Sequence, residues 1–66
     1  MIRIPVDSSN VVSVGHEGTI LEVEFKTGVY HYLDVPRDVF DLFLISSSKG
    51  QFLNANVKPH FVAVKQ

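Results

Sequence analysis

Apolar and polar residues alternate most regularly between Thr19 and Tyr32. Leu21-Glu22-Val23-Glu24-Phe25 is interrupted by Thr27-Gly28 and resumed by Val29-Tyr30-His31-Tyr32. Alternation with period two sets successive side chains on opposite faces of a β-strand, and two such runs around a glycine-containing pair read as a hairpin. A two-residue turn at Thr27-Gly28 predicts Phe25 opposite Tyr30 and Val23 opposite Tyr32 on one face, with Glu24 opposite His31 on the other. A second alternating run, Val11 to Gly15, leads to a compact turn signal at Glu17-Gly18. A turn there predicts Val14 opposite Leu21 and Val12 opposite Val23. The two turns agree on one inner face built from Val12, Val14, Leu21, Val23, Phe25, Tyr30 and Tyr32, and such agreement is itself evidence for the assignment.

Met1 to Pro5 reads as a short lead-in, with Pro5 ending any pairing there. Asp7-Ser8-Ser9-Asn10 reads as a bend, because each of these side chains bonds readily to nearby backbone. Beyond Val35-Pro36 the period changes to that of a helix. Pro36 suits its first turn, where the missing N–H is not needed. Val39, Phe40, Phe43 and Leu44 make one apolar stripe, and Leu42 and Ile45 fall outside it. Asp38 and Asp41 lie near the helix start, where the dipole favours negative charge. Ser46-Ser47-Ser48-Lys49-Gly50 stops this helix. Ser48 and Gln51 are spaced as a capping box, which predicts a short second helix carrying Phe52 and Leu53 inward and ending at Asn54-Ala55-Asn56. Val57 to Val64 then reads as a closing strand, at an edge or bulged near its start because of Pro59. The predicted fold is α+β in one domain over residues 1–66: a three-stranded antiparallel meander, a helix packed on its face, a short second helix and a C-terminal strand.

Composition narrows this picture. At 66 residues the chain buries only about 60% of its unfolded surface, so the core is thin and a homo-oligomer is expected to help it. There is no cysteine, and His16, His31 and His60 are far apart, so neither a metal nor a cofactor is expected. The formal net charge is -1, against the basic excess that generic duplex binding needs. No apolar run approaches the ~20 residues of a membrane span, and no basic, apolar leader opens the chain. A cytoplasmic protein without membrane contact is the expectation.

Ser8-Ser9-Asn10, Tyr30-His31-Tyr32, Val35-Pro36, Ser48-Lys49-Gly50 and Phe52 with Asn54 together resemble the KTSC domain, a family named for a segment at the C-terminus of some lysyl-tRNA synthetases. The match runs from about Val6 to Phe61, and it is the order and spacing of the motifs that make it specific. Phe40 departs from the family pattern, where an aromatic hydroxyl is common, and the C-terminal strand is lighter in tyrosine and in basic residues. The synthetase context implies RNA as a partner.

The residues themselves offer several candidate chemistries. Ser46, Ser47, Ser48, Lys49 and Gly50, with Asn54 and Asn56, read as a phosphate-binding set: helix N–H groups, hydroxyls and one ammonium for a phosphate of RNA or of a nucleotide. The glycine spacing of a P-loop is absent. Ser48 as a plain helix cap with a solvated Lys49, and asparagines bonded to turn backbone, are the competing structural readings. Tyr30 and Tyr32 read as core residues whose hydroxyls reach the rim, rather than as a base-stacking platform. Glu22, Glu24 and His31 read as an exposed cross-strand cluster. Asp7, Ser8 and Ser9 with His16 lack a nucleophile elbow or an oxyanion hole, so no catalytic residue is assigned and the chain is read as a non-enzyme. Leu42 and Ile45, beside Phe40, read as an interface for a protein partner or a second copy. The expectation is therefore a small binding module for RNA or a nucleotide. The alternative is a protein-interaction or self-associating module, including a small inhibitor of a larger protein.

Overall fold

A computed structural model describes all residues, 1–66. Five antiparallel strands form one sheet in sequence order: β1 (Arg3–Pro5), β2 (Val11–Glu17), β3 (Ile20–Phe25), β4 (Gly28–Tyr32) and β5 (Ala63–Lys65). Between β4 and β5 the chain forms α1 (Arg37–Ile45), the single turn α2 (Lys49–Phe52) and a π-helical turn, Leu53–Val57. The helical segment covers one face of the sheet, and the core lies between them. Val14, Leu21, Val23 and Tyr32 from the sheet meet Phe40, Phe43, Leu53 and Val57 from the helical side. The α+β class stands.

Both hairpins form, each one residue away from the predicted loop. The β2–β3 loop is Gly18-Thr19, which pairs Val14 with Val23 and His16 with Leu21. The β3–β4 loop is Lys26-Thr27, which pairs Val23 with Tyr30, Leu21 with Tyr32 and Glu22, rather than Glu24, with His31. Sliding a two-residue loop by one position moves the register by two, so the side chains of β3 and β4 stay on their predicted faces. Gly28 is left to begin β4 with φ +151°, a conformation that a residue with a Cβ rarely adopts.

Val12 is the exception to the predicted inner face. A β-bulge between Val11 and Ser13 leaves Val11 opposite Phe25 and Ser13 opposite Glu24. The extra residue, Val12, is turned outward and Val11 takes its place in the core. The lead-in is also a strand. Arg3, Ile4 and Pro5 pair with Gly15, Val14 and Ser13, and Pro5 is tolerated because β1 is an edge strand. At the other edge the strand is shorter than predicted. Leu53–Val57 continues as a π-turn, with Lys58 N–H donating to the Leu53 carbonyl at 2.8 Å. Pro59, which has no N–H, ends it, and only Ala63–Lys65 joins the sheet.

In α1, Pro36 precedes the first helical residue and its carbonyl accepts from Val39 N–H at 3.2 Å. Phe40 and Phe43 are buried, while Leu42 and Ile45 are exposed. The face of the sheet away from the helices is polar: Arg3 pairs with Glu22 and Glu24, His31 with Glu22, and the Ser13 hydroxyl donates to Glu24.

Candidate ligand-binding face

One end of the inner sheet face remains open, where the bend before β2, the β3–β4 turn and the π-turn meet. The Asn10 carbonyl accepts from Lys26 N–H at 3.3 Å, which ties the bend to the turn. Ser8 Oγ accepts from Val11 N–H at 3.5 Å and holds the bend itself. Across the gap, Asn54 and Lys58 lie four positions apart on the widened π-turn, a geometry often found where a helix serves a site. Asn10, Lys26, Asn54 and Lys58, with Phe25 and Gly50, line a concavity of about 300 Å³. Phe25, Thr27 and Lys58 also border a second hollow of about 430 Å³, floored by Tyr30, Tyr32 and Phe61. The two form one continuous surface.

Its electrostatics follow from where the charges pair. Arg3 and Arg37 are held by carboxylates, and the Lys49 ammonium donates to the Ser46 carbonyl at 2.6 Å, at the end of α1. Lys26, Lys58 and Lys65 have no carboxylate partner. Lys26 and Lys58 line the concavity, and the Lys65 stem runs beside Gly28, its Cε 3.3 Å from where a Cβ would stand. No carboxylate lines either hollow.

The aromatic part is ordered. Phe25 and Tyr30 pack edge to face, centroids 5.7 Å apart at 77°, and Lys58 Nζ sits 5.6 Å from the Phe25 ring centre. Tyr32 is only 3% exposed. No buried side-chain polar atom lacks a partner, and the Tyr32 hydroxyl makes no bond within the chain, so it reaches water at the floor of the second hollow. Burial, and then the neighbouring Tyr30 charge, raise its pKa above the usual tyrosine value of 10.0.

The predicted phosphate set is divided by α2. Gly50 and Asn54 face the concavity with Asn10, whereas Ser46, Ser47, Ser48 and Asn56 lie along a separate shallow surface. Ser48 Oγ accepts from Gln51 N–H at 3.3 Å, so it acts as a cap, and Lys49 is engaged with Ser46. The asparagine side chains do not bond to turn backbone. Asn10, Asn54 and Asn56 are exposed, and their amides make no hydrogen bond within the chain. Among the interface candidates, Phe40 is 3% exposed. It is a core residue stacked on His16 and offers no surface for a partner. Leu42 and Ile45 are 57% and 80% exposed. Leu42 borders an apolar groove with Val39, Phe52 and Phe61. His16 is turned away from Asp7 and the serines, and its Nε2–H donates to the Val35 carbonyl at 2.7 Å.

Sequence reading missed Lys26, Lys58, Lys65, Phe25 and Phe61 as neighbours of a site. Only one signal pointed there: Lys26 follows Phe25 at the hairpin turn, where a side chain is necessarily exposed beside the inner face.

The fold and this face define a small open-sheet α+β module in which Asn10, Tyr30, Tyr32, Gly50 and Asn54 gather at one end. A family model for the KTSC domain matches residues 7–61, and the chain belongs to that family. A protein from Tsukamurella paurometabola is 43% identical over 63 residues, covering 91% of this chain and 94% of its own length. One from Stutzerimonas stutzeri is 40% identical over 62 residues, with coverage of 89% and 87%. The crystal structure of a KTSC domain protein from Yersinia pestis superposes with a TM-score of 0.94 at 35% identity, covering 98% of this chain and 96% of that one. No helix is long and apolar enough to cross a membrane.

Proposed function

We propose that the chain is a non-catalytic binding module for a phosphate-bearing ligand with aromatic bases, a nucleotide or RNA, taken up on the concave face around Phe25. The observation that carries this reading is the position of three lysines whose ammonium groups make neither an ion pair nor a hydrogen bond within the chain, unlike that of Lys49. Lys26 and Lys58 line hollows around Phe25 that hold no carboxylate, and Lys65 pairs with Tyr30 across β4 and β5 with its stem beside Gly28, although the whole chain is slightly acidic. Ammonium groups attract phosphate, and aromatic faces accept any base. The Ser46–Gln51 segment contributes less than its sequence suggests, because its cap hydroxyl and its ammonium already have partners. The test is a variant with Lys26, Lys58 and Lys65 each changed to Glu. The native chain binds a short labelled RNA at low salt and the variant does not. Equal binding by the two would overturn the reading.

A second reading rests on Leu42 and Ile45, whose exposure on α1 supports self-association or docking to a protein partner. Leu42→Glu then lowers the mass of the particle in solution. A chain monomeric with either residue counts against self-association through this face.

A further inference from the structure

We infer that the concave face selects an unpaired polynucleotide strand and reads the edge of one of its bases with the amides of Asn10 and Asn54; this rests on the binding reading above. Three features of the face require an unpaired base. First, the Phe25 ring, held edge to face with Tyr30 at 5.7 Å, borders both hollows with Lys58 Nζ 5.6 Å from its centre, and that ring is the surface offered to a ligand. A base reaches that surface only if it is not stacked in a duplex, and as it enters, the Lys58 ammonium is displaced toward the adjoining phosphate. Second, Asn10 and Asn54 line the same concavity as Phe25 and Lys58. Each side-chain amide offers two donors and an acceptor, and neither is used within the chain. Amides in that state match the hydrogen-bonding edge of a base, which pairing would occupy. Third, three lysines in a chain of net charge -1 are too few to hold a duplex by its backbone alone.

The probes are short labelled homopolymers of uridylate and adenylate, an RNA hairpin duplex and an inorganic polyphosphate of matched charge, compared by anisotropy or competition. At least one homopolymer is expected to bind about tenfold more tightly than either the duplex or polyphosphate, the factor supplied by a base–aromatic stack near the low end of its range. Asn54→Ala, on the exposed side of the π-turn, and Asn10→Ala are each expected to lower that preference by the contribution of the amide, leaving the part due to stacking on Phe25. Lys58→Ala weakens homopolymer and polyphosphate alike. Because the chain has two tyrosines and no tryptophan, quenching of tyrosine emission by the bound base gives a second readout that polyphosphate does not produce. If duplex or polyphosphate binds as tightly as both homopolymers, or if both Asn variants keep the full preference, base reading is wrong while the anion-binding face stands. If none of the probes binds at low salt, the underlying reading falls as well.

Discussion

The imidazole of His16 lies nearly parallel to the ring of Phe40, 5.3 Å between centroids and 19° between planes, and it joins the sheet to α1. Its Nε2–H donates to the carbonyl of Val35 at 2.7 Å, just before the helix begins. The Arg37 guanidinium also sits over Phe40, 5.4 Å from the ring centre. His16 therefore fixes where the chain leaves the sheet. His16→Ala removes both the stack and the hydrogen bond and is expected to lower unfolding free energy by about 1–3 kcal/mol. Urea denaturation checks this, and an unchanged midpoint would show that α1 docks without it.

Gly15 is buried in β2, paired with Arg3 of the neighbouring strand β1. A Cβ placed there would lie 2.6 Å from the Ile2 carbonyl oxygen, with the Met1 and Arg3 side chains also close. Backbone yields less readily than a flexible side chain, so Gly15→Ala must displace β1. The expected loss is about 1–3 kcal/mol, the usual range for overpacking. It should come with faster amide exchange at the β1–β2 pairs, Arg3 to Pro5 with Ser13 to Gly15. Native exchange in the variant would mean that β1 does not contribute to the folded sheet.

The inner face is legible in the sequence because parity survives small errors. A hairpin loop misplaced by one residue shifts pairing by two, and Leu21, Val23, Phe25, Tyr30 and Tyr32 stay inward. Val12 failed because a bulge adds one residue, which reverses parity, and nothing in Val11-Val12-Ser13 distinguishes which valine is extruded. The π-turn at Leu53–Val57 was hidden for a different reason. Valine and asparagine are weak helix formers, so packing of Leu53 and Val57 into the core, rather than local preference, sets that conformation. Much of the candidate site depended on it. Asn54 and Gly50 were legible as polar motif residues, but Lys58 reaches Phe25 only because the π-turn brings it there, and Lys65 only because β5 pairs with β4.

Tyr32 gives the fold an alkaline limit. Its phenol is pushed above the ordinary 10.0 by burial and then by Tyr30. The folded state therefore retains this proton at a pH where the unfolded chain has begun to lose it. Stability tied to Tyr32 is complete below the unfolded value and is lost as pH rises from there through the raised folded value. Thermal unfolding followed across this range should show a decline that Tyr32→Phe attenuates, and tyrosinate absorbance should show one phenol ionising late. An identical alkaline decline in Tyr32→Phe would assign the effect to other groups.

Salt dependence separates the proposed face from a nonspecific acidic surface most directly. Each phosphate neutralised on a single strand contributes about -0.7 to the slope of log affinity against log salt. Lys26, Lys58 and Lys65 are the cations without carboxylate partners around Phe25 and Tyr30, and full use of the three gives a slope of about -2. Lys58→Ala should make that slope shallower by about 0.7, leaving Lys26 and Lys65 to carry the rest. Lys49→Ala should leave it unchanged, because the Lys49 ammonium is bound to the Ser46 carbonyl on the other side of α2. A slope that responds to Lys49 and not to Lys58 would return the phosphate to the Ser46–Gln51 segment, where the polar run of the sequence first suggested it.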